Sequence, residues 1–269
     1  MLLFEQFNFI YVYIFVLAFM IGAVMGSFIN CVAWRISHGE DFIHGRSHCT
    51  TCGHTLTPLE LMPIVSFLIQ KGRSRCCNEK ISLRYPATEL LTALVFVALV
   101  FKFGFSLDTL QFMVLSLLLL AVSLVDLETG LIPDGFILAG ILNFVLFTIL
   151  KGGMIFTGLL HGALGGFSIS VPILLLSLLM DKVLQKESMG GGDIKLYFMT
   201  GLYFSIKANV LLVLLSCVFG IAFTLIFQSI RVGEKENPLA FPFGPSIAMA
   251  AMVSVFLAEP ILQFYMSLF

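Results

Sequence analysis

Apolar residues in this chain neither alternate nor keep to one helical face; they come in long unbroken runs. The runs fall at roughly Phe9–Ala33, Ala87–Phe105, Leu107–Val125, Ile132–Leu150, Ile155–Met180, Ile194–Phe204, Ala208–Ile230 and Leu239–Leu257. A helix that crosses the hydrocarbon core needs about 20 apolar residues. The economical reading is therefore an all-α polytopic membrane protein with about eight transmembrane helices. Ile194–Phe204 is the short one: extended to Lys207 it covers roughly 21 Å at about 1.5 Å per residue. One polar interval interrupts the pattern, from Arg35 to Pro86. The expected organisation is a first membrane helix over residues 1–34, a small cysteine-containing cytosolic domain over 35–86, and a seven-helix membrane domain over 87–269.

Composition agrees, since 59% of the 269 residues are hydrophobic and 12% are charged, too few charges to cover a soluble domain of that size. The first run lacks a basic leading region and a small-residue cleavage site, and reads as a retained anchor. Basic residues then give the orientation. Arg35, Arg46, Lys71, Arg73, Arg75, Lys80 and Arg84 lie in the polar interval. Eight crossings bring Lys182, Lys186, Lys195, Arg231 and Lys235 to the same side, against Lys102, Lys151 and Lys207 on the other. The positive-inside rule puts the polar domain in the cytosol and both termini outside. Trp34, beside Arg35, has the position of an interfacial anchor. The net charge of −1 gives no electrostatic footprint for nucleic acid.

Two groups of residues carry chemistry. Cys49 and Cys52 form a C-x-x-C followed by Gly53, and Cys76–Cys77 follow further on. Paired cysteines in a reducing compartment suit zinc, and an interval too short for a large core would gain much of its folding energy from the ion. Regular spacing would place the second pair at 74 and 77, but residue 74 is serine. Cys49, Cys52 and Cys77 are the expected ligands, with Cys76, His48 or His54 as the fourth. Cys31 and Cys217 sit in apolar runs and read as packing residues.

The second group is a pair of acids at membrane boundaries, where ionisable side chains are expensive. Asp126 ends the third run and Asp193 opens the sixth, so eight crossings set both on the cytosolic side although they stand far apart in sequence. Two carboxyls sharing one site keep a proton between them and activate a water, the behaviour of pepsin-type proteases. Gly190, Gly191 and Gly192 precede Asp193 and leave room for a substrate backbone to approach. The bland alternatives are a helix N-cap for Asp193 and a snorkelling end charge for Asp126. Helix polarity favours Asp193, at a helix start, as the base and Asp126, at a helix end, as the acid. Asp134 reads as a cap of the next helix, Asp181 as a terminal helix charge, and Glu128 and Glu187 as loop charges. Glu60 and Glu89 read as interface charges or cofactor contacts.

Six strings, in order, carry a family resemblance: GSFINCVAWRI at Gly26–Ile36, CTTC at Cys49–Cys52, ISLRYPATELLT at Ile81–Thr92, DLETGLIPD at Asp126–Asp134, GGGDIKL at Gly190–Leu196 and FPFGPSIA at Phe241–Ala248. The chain resembles the type IV prepilin peptidases, intramembrane aspartyl proteases marked by glycine-any-glycine-aspartate. The resemblance implies that Asp126 and Asp193 are the catalytic pair. It implies prepilins and pseudopilins as substrates, cut after a glycine on the cytosolic side of the bacterial inner membrane. It further implies methylation of the new amino terminus with S-adenosylmethionine, and a cysteine-bearing loop typical of the bifunctional members. Ser74 departs from the family, which usually has cysteine there. Two rival readings use the same acids: a presenilin-like protease of other transmembrane helices, and a small-molecule transporter. Transporters place such acids near the midplane, and these lie at a boundary.

Overall fold

The computed structural model describes residues 2–41, 45–186, 188–230 and 242–267, with side chains except for 2–8 and 227–230. Glu187, Arg231, Lys235 and Phe241 lie outside the described residues. Among those described, the helices are α1 (Leu2–Ser37), α2 (Val65–Ile69), α3 (Arg84–Phe103), α4 (Leu107–Thr129), α5 (Asp134–Lys151), α6 (Ile155–Leu184), α7 (Gly191–Gly201), α8 (Ile206–Ile230) and α9 (Gly244–Met266). All but α2 and α7 are long and apolar enough to cross a membrane. Their outer faces carry exposed Leu164, Leu175, Val210, Leu214 and Val218, a surface that lipid accepts and water does not. The chain is a multi-pass membrane protein, with the cysteines between its first and second spans.

The chain forms two compact units, Met1–Leu117 and Leu118–Phe269. In the first, α1 and α3 run antiparallel in one continuous register. Phe15 meets Phe101, with ring centroids 6.4 Å apart. A Cβ on Gly22 would stand 2.7 Å from Ala93 Cα, and one on Gly26 would stand 3.0 Å from Glu89 Cα. Asn30 donates to Thr88 Oγ1 and, at 3.5 Å, to Tyr85 O. Small residues at this seam let the two backbones close up, the usual route to helix association in lipid.

Residues 38–83 are mostly irregular and are tied to this helix pair by polar contacts. Glu89, buried in α3, accepts the Ile64 N–H at 2.7 Å. The guanidinium of Arg35, also buried, donates to Asp41 O at 3.3 Å and Arg46 O at 3.1 Å. Trp34 stacks on His38 with centroids 4.3 Å apart and meets His48 edge-on at 5.7 Å. Glu60 closes a local turn, accepting from the N–H and Oγ1 of Thr57.

In the second unit the informative element is α7. Its 11 residues rise only about 16 Å, too little to cross alone. Polar side chains just beyond its end bond helix carbonyls of α5, α6 and α7. Asn209 donates to Gly165 O at 2.9 Å and Gly201 O at 3.2 Å. Tyr203 donates to Gly140 O at 2.6 Å and accepts from Asn143 at 2.8 Å. Non-helical backbone at membrane depth is tolerated where protein covers it in this way. The turn then brings Lys207 beside Gly158 and His161, near the start of α6. From there α8 runs back, bonding Ser216 to Tyr197 and setting Gly220 against Phe243. Among the described residues seven helices are thus long enough to span, against the eight expected; the expected sixth run, Ile194–Phe204, folds as the short α7 and the turn that follows it.

Candidate functional sites

The first site lies at one end of the second unit. α4 closes on Gly130, at φ +67°, whose N–H bonds to Asp126 O at 2.8 Å; glycine accepts that left-handed conformation without a Cβ clash. Asp126 is therefore held one turn from the helix end, and it is only 4% exposed. Asp193 lies in the first turn of α7, half-buried, and feels the charge of Asp126 across the gap. A Cβ on Gly192 would come 3.0 Å from Ile132 Cβ, so the start of α7 rests against the α4–α5 connection. Lys195 Nζ pairs with Asp134 Oδ1 at 2.7 Å, joining the same two segments at the exposed rim. Sixty-seven positions of sequence are closed by these contacts.

Other features depart from the sequence reading. Of the three glycines expected to leave room for a substrate backbone, Gly190 is the N-cap of α7, and Gly191 and Gly192 are already helical. Gly191 faces open space, while Gly192 is packed. Asp193 stands inside the first turn and not at the cap. Asp134 makes no capping bond, because Pro133 is the N-cap of α5 and has no side-chain bond there; the Lys195 pair is its partner instead. Asp181 accepts the Ser188 N–H at 2.6 Å, holding the chain that leads into Gly190 back against α6.

Sequence reasoning also missed Gly244. Its N–H, at the start of α9, donates to Asp126 Oδ2 at 2.9 Å. A Cβ at this position would lie 2.6 Å from that oxygen, so only glycine allows the approach. The expectation that Asp193 alone meets a helix N-terminus, and is therefore the base, loses its ground. Each carboxyl stands at the start of a helix, α7 for one and α9 for the other.

The second site lies in residues 38–83. The sulfurs of Cys49, Cys52, Cys76 and Cys77 all fall within 4.8 Å of one another. Cys49–Cys77 is 3.8 Å, Cys52–Cys76 3.2 Å and Cys76–Cys77 3.9 Å. A tetrahedral zinc with Zn–S bonds of about 2.3 Å has sulfur–sulfur edges of about 3.8 Å. The four thiols therefore fit such an ion, and among the described residues neither His48 nor His54 joins the group. The backbone N–H of Cys52 draws the Cys49 thiol down to about 6, against the opposing effect of burial. The His54 N–H acts likewise on Cys52, but the crowding thiols of Cys76, Cys49 and Cys77, with burial, outweigh it and push that group up to about 12. Four thiols so close cannot all ionise unaided; a cation at their centre would let them.

A multi-pass helical membrane protein with an acid pair at one end of its bundle, one carboxyl buried and the other half-buried, and a four-thiol cluster between its first two spans belongs to a narrow class. Residues 20–103 match the bacterial peptidase A24 N-terminal domain, and residues 113–225 match the type IV leader peptidase family. The chain is 35% identical over 260 residues to the prepilin leader peptidase/N-methyltransferase of Bacillus subtilis, covering 93% of this chain and 97% of the relative. It is 30% identical to proteins of the same name from Aeromonas salmonicida, covering 94% of each chain, and from Pseudomonas aeruginosa, covering 92% and 91%. This chain belongs to the type IV leader peptidase family. No solved structure is a significant match to it.

Proposed function

We propose that this protein removes the leader peptides of prepilins or pseudopilins with Asp126 and Asp193, at the cytosolic face of the bacterial inner membrane, and N-methylates the new amino terminus. Membership of the leader peptidase family and the names of its relatives support the two activities. The observation that carries the catalytic reading is the convergence of the two acids at the shared starts of α7 and α9. A carboxyl pair around one proton takes a proton from water on one side and donates to the scissile carbonyl on the other. Gly191 leaves its side of the approach open, which suits an extended substrate backbone, and Gly190 borders it. The orientation rests on basic residues: Lys182, Lys186 and Lys195 flank the acid end of the second unit, against Lys151 and Lys207 at its far end.

S-adenosylmethionine, the donor that the N-methyltransferase name of the relatives implies, would supply the methyl group to the freed amine. Cys49, Cys52, Cys76 and Cys77 would hold zinc, which would supply folding energy to the loop. Incubating the purified protein with a prepilin and S-adenosylmethionine, then weighing the product, tests both activities together. Loss of the leader mass with a gain of one methyl is expected. An uncut prepilin under conditions where the protein is folded would sink the reading.

A further inference from the structure

The loop that holds the cysteines is built from two copies of one turn. In the first, Cys49 N–H donates to His54 O at 2.8 Å, and Gly53 N–H donates to Cys49 O at 2.9 Å. In the second, Ser74 N–H donates to Glu79 O at 2.8 Å, and Asn78 N–H donates to Ser74 O at 2.9 Å. Gly53 and Asn78 both take positive φ, at 72° and 59°. Each turn is closed by a bridge, His48 with Thr55 and Arg73 with Lys80. The two copies therefore correspond residue by residue at an offset of 25. Cys52 matches Cys77, and Cys49 matches Ser74.

Ser74 thus occupies the first ligand position of the second turn. Its Oγ lies 3.8 Å from Cys49 Sγ, the length of a sulfur–sulfur edge in the cluster, and 3.0 Å from Cys76 Sγ. Cys76 answers to Thr51 in the first copy, a position that carries no ligand there. We infer that the second turn has moved its ligand by two residues: Cys76 supplies the fourth thiolate, and Ser74 remains as the hydroxyl that donates to its sulfur. Adjacent Cys76 and Cys77, awkward as a chelating pair by spacing alone, reach one centre because the turn backbone is built for a ligand beside them. This rests on the reading that the cluster holds zinc. A hydroxyl donating to a ligand sulfur orients it and steadies its charge, an outer contact that typically governs affinity by about 10–100-fold.

The test uses full-length protein in detergent as wild type, Cys76→Ser, Ser74→Ala and the double variant Ser74→Cys/Cys76→Ser. Zinc content and chelator competition are measured, and cobalt(II) is substituted to follow sulfur-to-metal absorption, which grows with each bound thiolate. Wild type and the double variant should show four thiolates, and Cys76→Ser three with weakened binding. Ser74→Ala should keep four thiolates but bind zinc about 10–100-fold less tightly. A four-thiolate spectrum from Cys76→Ser overturns the ligand shift. So does a double variant that stays at three thiolates while wild type holds four. Wild type that binds neither metal removes the zinc reading itself, and the shift with it.

Discussion

The two sites are assembled in opposite ways. The cysteine cluster gathers four side chains from a stretch of 29 consecutive residues, on two tight turns closed by their own backbone bonds. Its ligands are exposed or half-exposed, and nothing beyond the loop is required to aim them. The carboxyl pair draws on three helices, and one of its contacts spans 118 positions, from Asp126 to Gly244. It is aimed by close packing at Gly192, where an added methyl would press on Ile132, and at Gly244, where it would collide with the Asp126 carboxyl. A locally built site depends on what binds in its centre; a site built over distance depends on the helices that frame it. Failure in the first should remain local, whereas failure in the second should reach the reacting atoms directly.

The strongest way to break this contrast is at the acids. Asp126→Asn and Asp193→Asn should each slow leader cleavage by about 10²–10⁴-fold or more, in protein that still inserts and still holds its metal. Mass analysis of a processed prepilin measures the first property and elemental analysis the second. Near-normal processing by either variant would remove that residue from the pair.

Metal removal should act on the other side. Cys49→Ser/Cys52→Ser should release zinc and depress methylation more than cleavage. Since protons compete with zinc for thiolates, progressive acidification should release the ion and a return to neutral pH should restore binding. Zinc content after dialysis across a pH series reads this directly. Equal loss of cleavage and methylation in an inserted protein would assign the loop to substrate binding instead.

Gly244→Ala probes the long-range contact. The new Cβ must displace Asp126 or α9, and a misplacement of about 1 Å can cost up to about 10²-fold in rate. Cleavage should fall accordingly with unchanged zinc content. An unchanged rate would show that the Gly244 N–H does not position Asp126. Lys195→Ala should have the smallest effect, because an exposed ion pair contributes roughly 0–1 kcal/mol. Cleavage slower by more than about tenfold would mean that Lys195 touches the reaction and does more than tie α7 to Asp134.

Much of this was legible in the chain itself. Unbroken apolar runs announce membrane helices because lipid demands about 20 apolar residues per crossing. Acids at the ends of such runs stand out because burying them in lipid is costly. The C-x-x-C at Cys49–Cys52 is visible because its geometry is contained in a few residues. Other features were hidden, each for a physical reason. The repeat between residues 48–55 and 73–80 lies in backbone hydrogen bonds, while the two segments share only the cysteine at 52 and 77; only the folded loop could assign Cys76 as the fourth thiol. The glycines before Asp193 read alike in sequence as room for a substrate backbone, but in the fold Gly190 is the N-cap of α7, Gly192 packs against Ile132 and Gly191 stays open. Asp134 looks like a cap until α7 brings Lys195 to it. Gly244 offers no side chain to notice: its contribution is a backbone N–H, set against Asp126 by the packing of α9. Composition and spacing determined the membrane, the acids and the thiols, because those depend on what each residue is. Tertiary structure decided their aim and their neighbours, because those depend on backbone groups that every residue carries alike.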